Sequence, residues 1–142
     1  MKMSMIAATL IISFFSVSKQ TYAETYDFSC GKVGNVTRSI IASSKEPGVD
    51  GYALAATYQT GGVDATTGIQ TKKVYQLVGQ SDILENSGKQ TSALTFLQWS
   101  NPNFQVVVTK TKKKGAIVDG AEINAQTGKG IEFKCKLNSY AK

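Results

Sequence analysis

The sequence predicts an all-β domain, a small antiparallel barrel or sandwich of about eight strands whose first and last strands are tied by a disulfide. Three observations predict it. Apolar and polar residues alternate at period two along most of the chain, as in "TYDFSCG" (25–31) and "IEFKCKL" (131–137), which is the spacing of half-buried strands and not of helices. Turn-forming clusters separate the alternating runs: "KEPGVDG", "TGGVDATTG", "ENSGK", "SNPN", "KKKG" and "AQTGKG". The two cysteines, Cys30 and Cys135, stand in the first and last of these runs.

Taken in order, residues 1–23 read as a secretory leader. Lys2 is the basic start, Met5 to Val17 the apolar stretch, and cleavage is expected after Ala23. The apolar stretch is shorter than the ~20 residues that cross a bilayer, and no later run approaches that length, so no membrane span is expected. Cys30 lies too far beyond the apolar stretch for lipid attachment at the cleavage point. One exported domain, 24–142, is the expectation, periplasmic or secreted.

Within it Tyr26, Phe28 and Cys30 share one face of the first strand. Strands follow near Arg38–Ser44, Tyr52–Gln59, Lys73–Val78, Leu94–Trp99, Phe104–Thr111 and Ala116–Ile123. Ile131, Phe133, Cys135 and Leu137 share a face of the last. Thr60 to Lys73, poor in large apolar residues, reads as a long exposed loop, and "QSDILENSG" has room for a turn or two of helix at most. No internal repeat or second domain is visible. An even cysteine count in an exported chain reads as a disulfide. Closing a loop of roughly 100 residues stabilises by about 4–5 kcal/mol in the chain-entropy model, and its geometry requires the two end strands to be neighbours.

Composition then narrows the chemistry. The chain has 16 Lys and Arg against 10 Asp and Glu, and removal of Lys2 and Lys19 with the leader leaves a net charge of +4. There is no histidine, so Ser-His-acid triads, Cys-His pairs and imidazole metal sites are excluded. With the cysteines paired, no thiolate nucleophile remains. A non-enzymatic protein without cofactor or metal is expected. The carboxylate pairs Asp82 with Glu85 and Asp119 with Glu122 stand beside turns, where acidic groups are ordinarily solvated, and "TGGVDATTG" lacks the lysine and helix of a phosphate loop.

Lys110, Lys112, Lys113 and Lys114 form a basic cluster. It reads as a charged hairpin tip that keeps a β-rich segment from pairing at its edge, and the aromatic interleaving that nucleic-acid stacking needs is missing. Trp99, with Phe96 on the same strand, is expected to fill the core or close one barrel end. A ligand-binding interior is the other reading, since an eight-stranded barrel can hold one small molecule. Asn35-Val36-Thr37 matches a glycosylation sequon, from which nothing follows.

The remaining candidate is "ENSGKQ". Asn86 and Gly88 tolerate positive φ, so the stretch is a good turn. It sits in a suggestive order of features: "DFSC" in the first strand, "NSGK" at 86–89, then "FLQWS" at 96–100. This order resembles the periplasmic and membrane-bound inhibitors of C-type lysozyme, in which a "YxC" first strand is followed by a Ser-Gly loop and a strand ending in aromatic-Trp-Ser. The family's loop carries a tyrosine shortly after Ser-Gly, and "SGKQTSA" has none.

The resemblance implies an inhibitory loop of Ser87, Gly88 and Lys89 that enters a lysozyme cleft. The hydroxyl, backbone N–H and ammonium would meet the catalytic carboxylates, one of which must be ionised. Goose-type or invertebrate-type enzymes are alternative targets. A different reading is a small secreted barrel that binds a glycan, lipid or small hydrophobic ligand, and a third is an adhesin or toxin-type binding subunit.

Overall fold

The alternating runs become eight antiparallel strands that close into a barrel in chain order. They are β1 (Thr25–Val33), β2 (Val36–Ser44), β3 (Leu54–Val63), β4 (Gln70–Asn86), β5 (Lys89–Gln98), β6 (Phe104–Thr109), β7 (Ile117–Asn124) and β8 (Gly130–Ala141). The structure, a computed structural model, describes residues 24–45, 51–64, 66–100 and 102–142. The expected leader, 1–23, lies outside them. No helix among the described residues is long and apolar enough to cross a membrane.

Closure requires the strands to be staggered, and the register shows it. Starting at Leu54, the ladder passes Gly79, Phe96, Val106 and Glu122 and reaches β8 at Ile131. In the other direction it leaves through Ser44, whose neighbour Ser43 pairs with Thr25, and meets β8 at Ala141. The two arrivals are about ten residues apart, the offset of a tilted barrel.

Inward positions carry the apolar set. Tyr26 and Phe28 of β1, Ile40 of β2, Leu94 and Phe96 of β5, and Leu137 of β8 are among the fully enclosed side chains, and together they fill the interior. Each large apolar side chain so enclosed contributes roughly 1.5–3 kcal/mol. Many outward positions, such as Asp27, Ser29, Thr37, Ser39 and Gln76, are polar, and Ile41 and Val74 are exposed on the same strands.

Two glycines make room for two phenylalanines. A Cβ on Gly79 would stand 2.5 Å from the Phe96 ring, and one on Gly120 would stand 2.7 Å from the Phe133 ring. Each glycine is the register partner of its phenylalanine, so small and large residues alternate to fill the taper.

Cys30 and Cys135 are directly opposed on β1 and β8 and form the expected disulfide, with a sequence separation of 105. The bond closes the barrel's last seam. Three expectations are corrected. Thr60–Lys73 is not a loop, because β3 and β4 stay paired out to Val63 and Gln70, and only 64–69 connect them. The small and polar residues there are strand residues on an exposed barrel end. "QSDILENSG" holds no helix, since β4 runs unbroken through Asn86. Trp99 does not fill the core: it follows the last residue of β5 and is 64 % exposed, with its ring 6.2 Å from that of Tyr52.

A local repeat also escaped sequence reading. "DATTG" (64–68) and "NAQTG" (124–128) fold into one turn used twice. Asp64 Oδ1 accepts from the Thr66 and Thr67 amides, and Asn124 Oδ1 from those of Gln126 and Thr127. In both, a glycine at φ near +70° closes the turn by donating to the first residue's carbonyl.

Candidate functional site

In an up-and-down barrel, alternate connections fall at opposite ends. The β4–β5 and β6–β7 connections, with residues 24 and 142, share one end. The β1–β2, β3–β4, β5–β6 and β7–β8 connections share the other.

At the first end β4 and β5 outrun their neighbours. β3 releases β4 after Gly79, and β6 meets β5 only from Ala93 onward. The rungs Ile83–Ser92, Leu84–Thr91, Glu85–Gln90 and Asn86–Lys89 therefore form a two-stranded ribbon. Among the described residues its backbone is otherwise held only by the Lys110 amide donating to the Ser92 carbonyl, at 2.9 Å. Four rungs make a ribbon on the order of 13 Å long, and at its base Leu84 and Thr91 line a cavity of about 520 Å³ with Val107 of β6, Asp119 and Ala121 of β7 and Glu132 of β8.

Ser87 and Gly88 are the two central residues of its turn, at φ 54° and 80°. Positive φ at both is the type I′ geometry that matches strand twist in a two-residue hairpin. Glycine adopts it without penalty, whereas serine does not: the left-handed region costs an L-residue roughly 1–2 kcal/mol. Ser87 is the one non-glycine residue with positive φ among those described. Behind the tip, Ile83 is 69 % exposed and Leu84 41 %, and as strand neighbours they point to opposite faces of the ribbon.

The lysine cluster shares this end. Lys113 and Lys114 are exposed in the β6–β7 connection, and Lys112 Nζ stands 3.6 Å from Glu24 Oε1 and 5.5 Å from the centre of the Tyr140 ring. Glu24 also accepts from the Tyr140 hydroxyl at 2.7 Å and the Tyr26 hydroxyl at 3.3 Å. These partners, Tyr140 first, hold its carboxyl below the usual range, and burial opposes them. The two hydroxyls are shifted upward, Tyr140 chiefly by its bond to Glu24 and Tyr26 chiefly by burial.

At the opposite end a polar cluster sits inside the barrel mouth. Arg38, on the inward face of β2 beside Ile40 and Ala42, has a side chain only 5 % exposed. Its guanidinium carbon lies 5.2 Å from the centre of the Phe133 ring, a cation–π arrangement. Glu122 Oε1 is 3.7 Å from Arg38 Nε and accepts the Tyr58 hydroxyl at 2.6 Å. Burial first, then Glu122, pushes the Tyr58 hydroxyl upward. Arg38 Nε and Nη1 are buried with no hydrogen-bond partner among the described residues. The cluster opens into a cavity of about 220 Å³ lined also by Lys73, Tyr75, Pro102 and Phe104.

Neither proposed carboxylate pair converges. Residues three apart on a strand face opposite sides, so Asp82 and Glu85 diverge, as do Asp119 and Glu122. Asp119 bonds Lys134 on the outer face, Glu122 turns inward to Tyr58 and Arg38, and Asp82 accepts from Gln80 at 2.9 Å. Phe96 is core, while Trp99 is not. Arg38 and Tyr58 were missed by sequence reading. The signal was available in parity: a cation shares the inward face of β2 with two apolar residues, and an anion shares that of β7 with Gly120.

No family model, curated protein or solved structure matches the chain.

Proposed function

We propose that the protein is an exported inhibitor of a lysozyme-like glycosidase and that the Ser87-Gly88-Lys89 turn is its inhibitory element. The observation that carries this reading is the position of that turn at the exposed tip of a two-stranded ribbon that β3 and β6 no longer flank, with Ser87 held in a backbone conformation unfavourable for serine. Strain at an exposed tip persists only where the surrounding structure imposes it, and it clusters at ligand clamps. A plain hairpin would place Asn-Gly or Gly-Gly there.

A glycosidase cleft is a groove flanked by carboxylates. The ribbon is only two strands wide, and Ile83, on the face opposite Leu84, is exposed to meet a wall of such a groove. The Ser87 hydroxyl, Gly88 amide and Lys89 ammonium then meet the carboxylates. Charge-assisted bonds of this kind contribute about 1.5–3 kcal/mol each once water is excluded. With no side chain on Gly88 the two backbones approach closely. Inhibition is by occupancy and needs no chemistry from the inhibitor.

Lys113 and Lys114, exposed at the same end, place further positive charge there and favour an acidic groove over a basic surface. The test is a titration of the purified, disulfide-bonded protein against C-type, goose-type and invertebrate-type lysozymes. A Ser87→Ala/Lys89→Ala double variant should fold normally and inhibit at least about tenfold more weakly.

A further inference from the structure

We propose that the barrel mouth opposite the ribbon is a binding site for a small aromatic carboxylate. The site is independent of the inhibitory reading: it lies at the other end of the molecule and uses other strands.

The argument begins with Arg38. Buried donors almost always find partners, and an exception asks for an explanation. Arg38 offers two: Nε and Nη1 are both buried and both lack an acceptor among the described residues. Glu122 does not answer them. Its Oε1 is 3.7 Å from Nε, beyond hydrogen-bond reach, and is already engaged by the Tyr58 hydroxyl at 2.6 Å. The guanidinium is held in place by Phe133 behind it, 5.2 Å from the ring centre, so its two unanswered donors are fixed before any ligand arrives.

Charge sets the sign of the occupant. Among the described residues Arg38 and Lys73 line the cavity with Glu122 as the one carboxylate, leaving one positive charge over. A monoanion balances it, and a carboxylate accepts charge-assisted hydrogen bonds from a guanidinium.

The walls set the rest of the ligand. Tyr75 and Phe104 line the cavity and meet edge to face, with ring centres 5.0 Å apart at 83°, and the buried Tyr58 backs Phe104 at 5.8 Å. Pro102 is exposed at the rim. A flat ring finds offset or edge contacts with this aromatic set, and about 220 Å³ accommodates one such ring with its carboxylate and little more. The barrel interior beyond is filled by side chains, so a long lipid chain has nowhere to go.

The probe is benzoate, titrated into the isotope-labelled, disulfide-bonded protein and followed by amide chemical shifts, with benzamide and inorganic phosphate as comparators. Benzoate should give saturable shifts at the mouth ends of β2, β4, β6 and β7, with a Kd near or below about 1 mM. Benzamide, which keeps the ring and loses the charge, and phosphate, which keeps charge and loses the ring, should each bind about tenfold more weakly or not at all.

Arg38→Met should abolish binding. Because that variant disturbs the interior, Lys73→Gln at the exposed rim is the second test and should weaken benzoate severalfold with the fold intact. Absence of saturable shifts up to about 10 mM, shifts confined to the ribbon end, equal binding of either comparator, or full affinity in Lys73→Gln would overturn the assignment.

Discussion

At one end of the barrel Glu24 is surrounded by the Tyr26 and Tyr140 hydroxyls and by Lys112, whereas at the other Glu122 takes one hydroxyl from Tyr58 and leaves Arg38 with two nitrogens unanswered among the described residues. In the first arrangement donors and acceptors answer one another, and they fasten Glu24 to β1, to β8 and to the β6–β7 connection. The second is incomplete inside an otherwise packed barrel. The contrast teaches that burial of charge alone does not mark a site. What separates the two ends is whether the buried donors are satisfied by the protein itself.

The comparison can be broken at several points. The largest effect is expected at the seam both ends depend on. Replacing Cys30 and Cys135 together by alanine should destabilise the protein by about 2–5 kcal/mol, measured by urea unfolding of wild type and variant. A change below about 0.5 kcal/mol would mean that the β1–β8 ladder closes the barrel unaided.

The next effect separates the ends directly. Arg38→Met leaves Glu122 half-buried without its cation and should cost about 1–3 kcal/mol, part of which returns in Arg38→Met/Glu122→Leu. Lys112→Met at the other end removes an ion pair whose lysine side chain is 53 % exposed and should cost no more than about 0.5 kcal/mol. Equal costs would erase the distinction.

Titration should show smaller and opposite limbs. The folded-state pKa of Glu24 is lowered, so its contribution is present above its unfolded value and is lost as pH falls from about 4.5 toward the folded value. Tyr58 is raised. Its contribution is intact below the ordinary tyrosine value of about 10 and is lost as pH climbs through the folded value. Glu24→Gln should flatten the acid limb of stability against pH and Tyr58→Phe the alkaline limb. A variant that flattens the other limb instead would contradict the placement of these groups.

The smallest effect is at the tip. Ser87→Asn supplies a residue that accepts positive φ more readily and should raise stability by a few tenths to about 1 kcal/mol while weakening inhibition. If it leaves inhibition unchanged, the serine hydroxyl is not a contact.

Much of this architecture was legible in the sequence, for a reason that also explains the misreadings. Period-two alternation around Cys30 and Cys135 predicted both the end strands and their pairing, because a half-buried strand writes its face into every second residue. Thr60–Lys73 and Gln80–Asn86 write no such pattern: their strands run past the core, where neither face is buried and polarity no longer distinguishes strand from loop. Trp99 misled because large aromatics are usually core, and its position one residue past the end of β5 was not resolvable from composition. The mouth cluster was hidden for a different reason. Arg38, Tyr58 and Glu122 come from three strands, and only closure of the barrel brings β2 and β7 within reach of each other. Glu122 drew notice for its neighbour Asp119, which the pleat sends to the opposite face.

The central claim is that the exposed Ser-Gly-Lys turn inhibits a lysozyme-like enzyme, and an inhibition titration tests it most directly. The purified, disulfide-bonded protein should inhibit at least one of the C-type, goose-type and invertebrate-type lysozymes at or below about micromolar concentration, with Ser87→Ala/Lys89→Ala folded and at least about tenfold weaker. No inhibition of any of the three at that concentration, or full inhibition by the double variant, would contradict it.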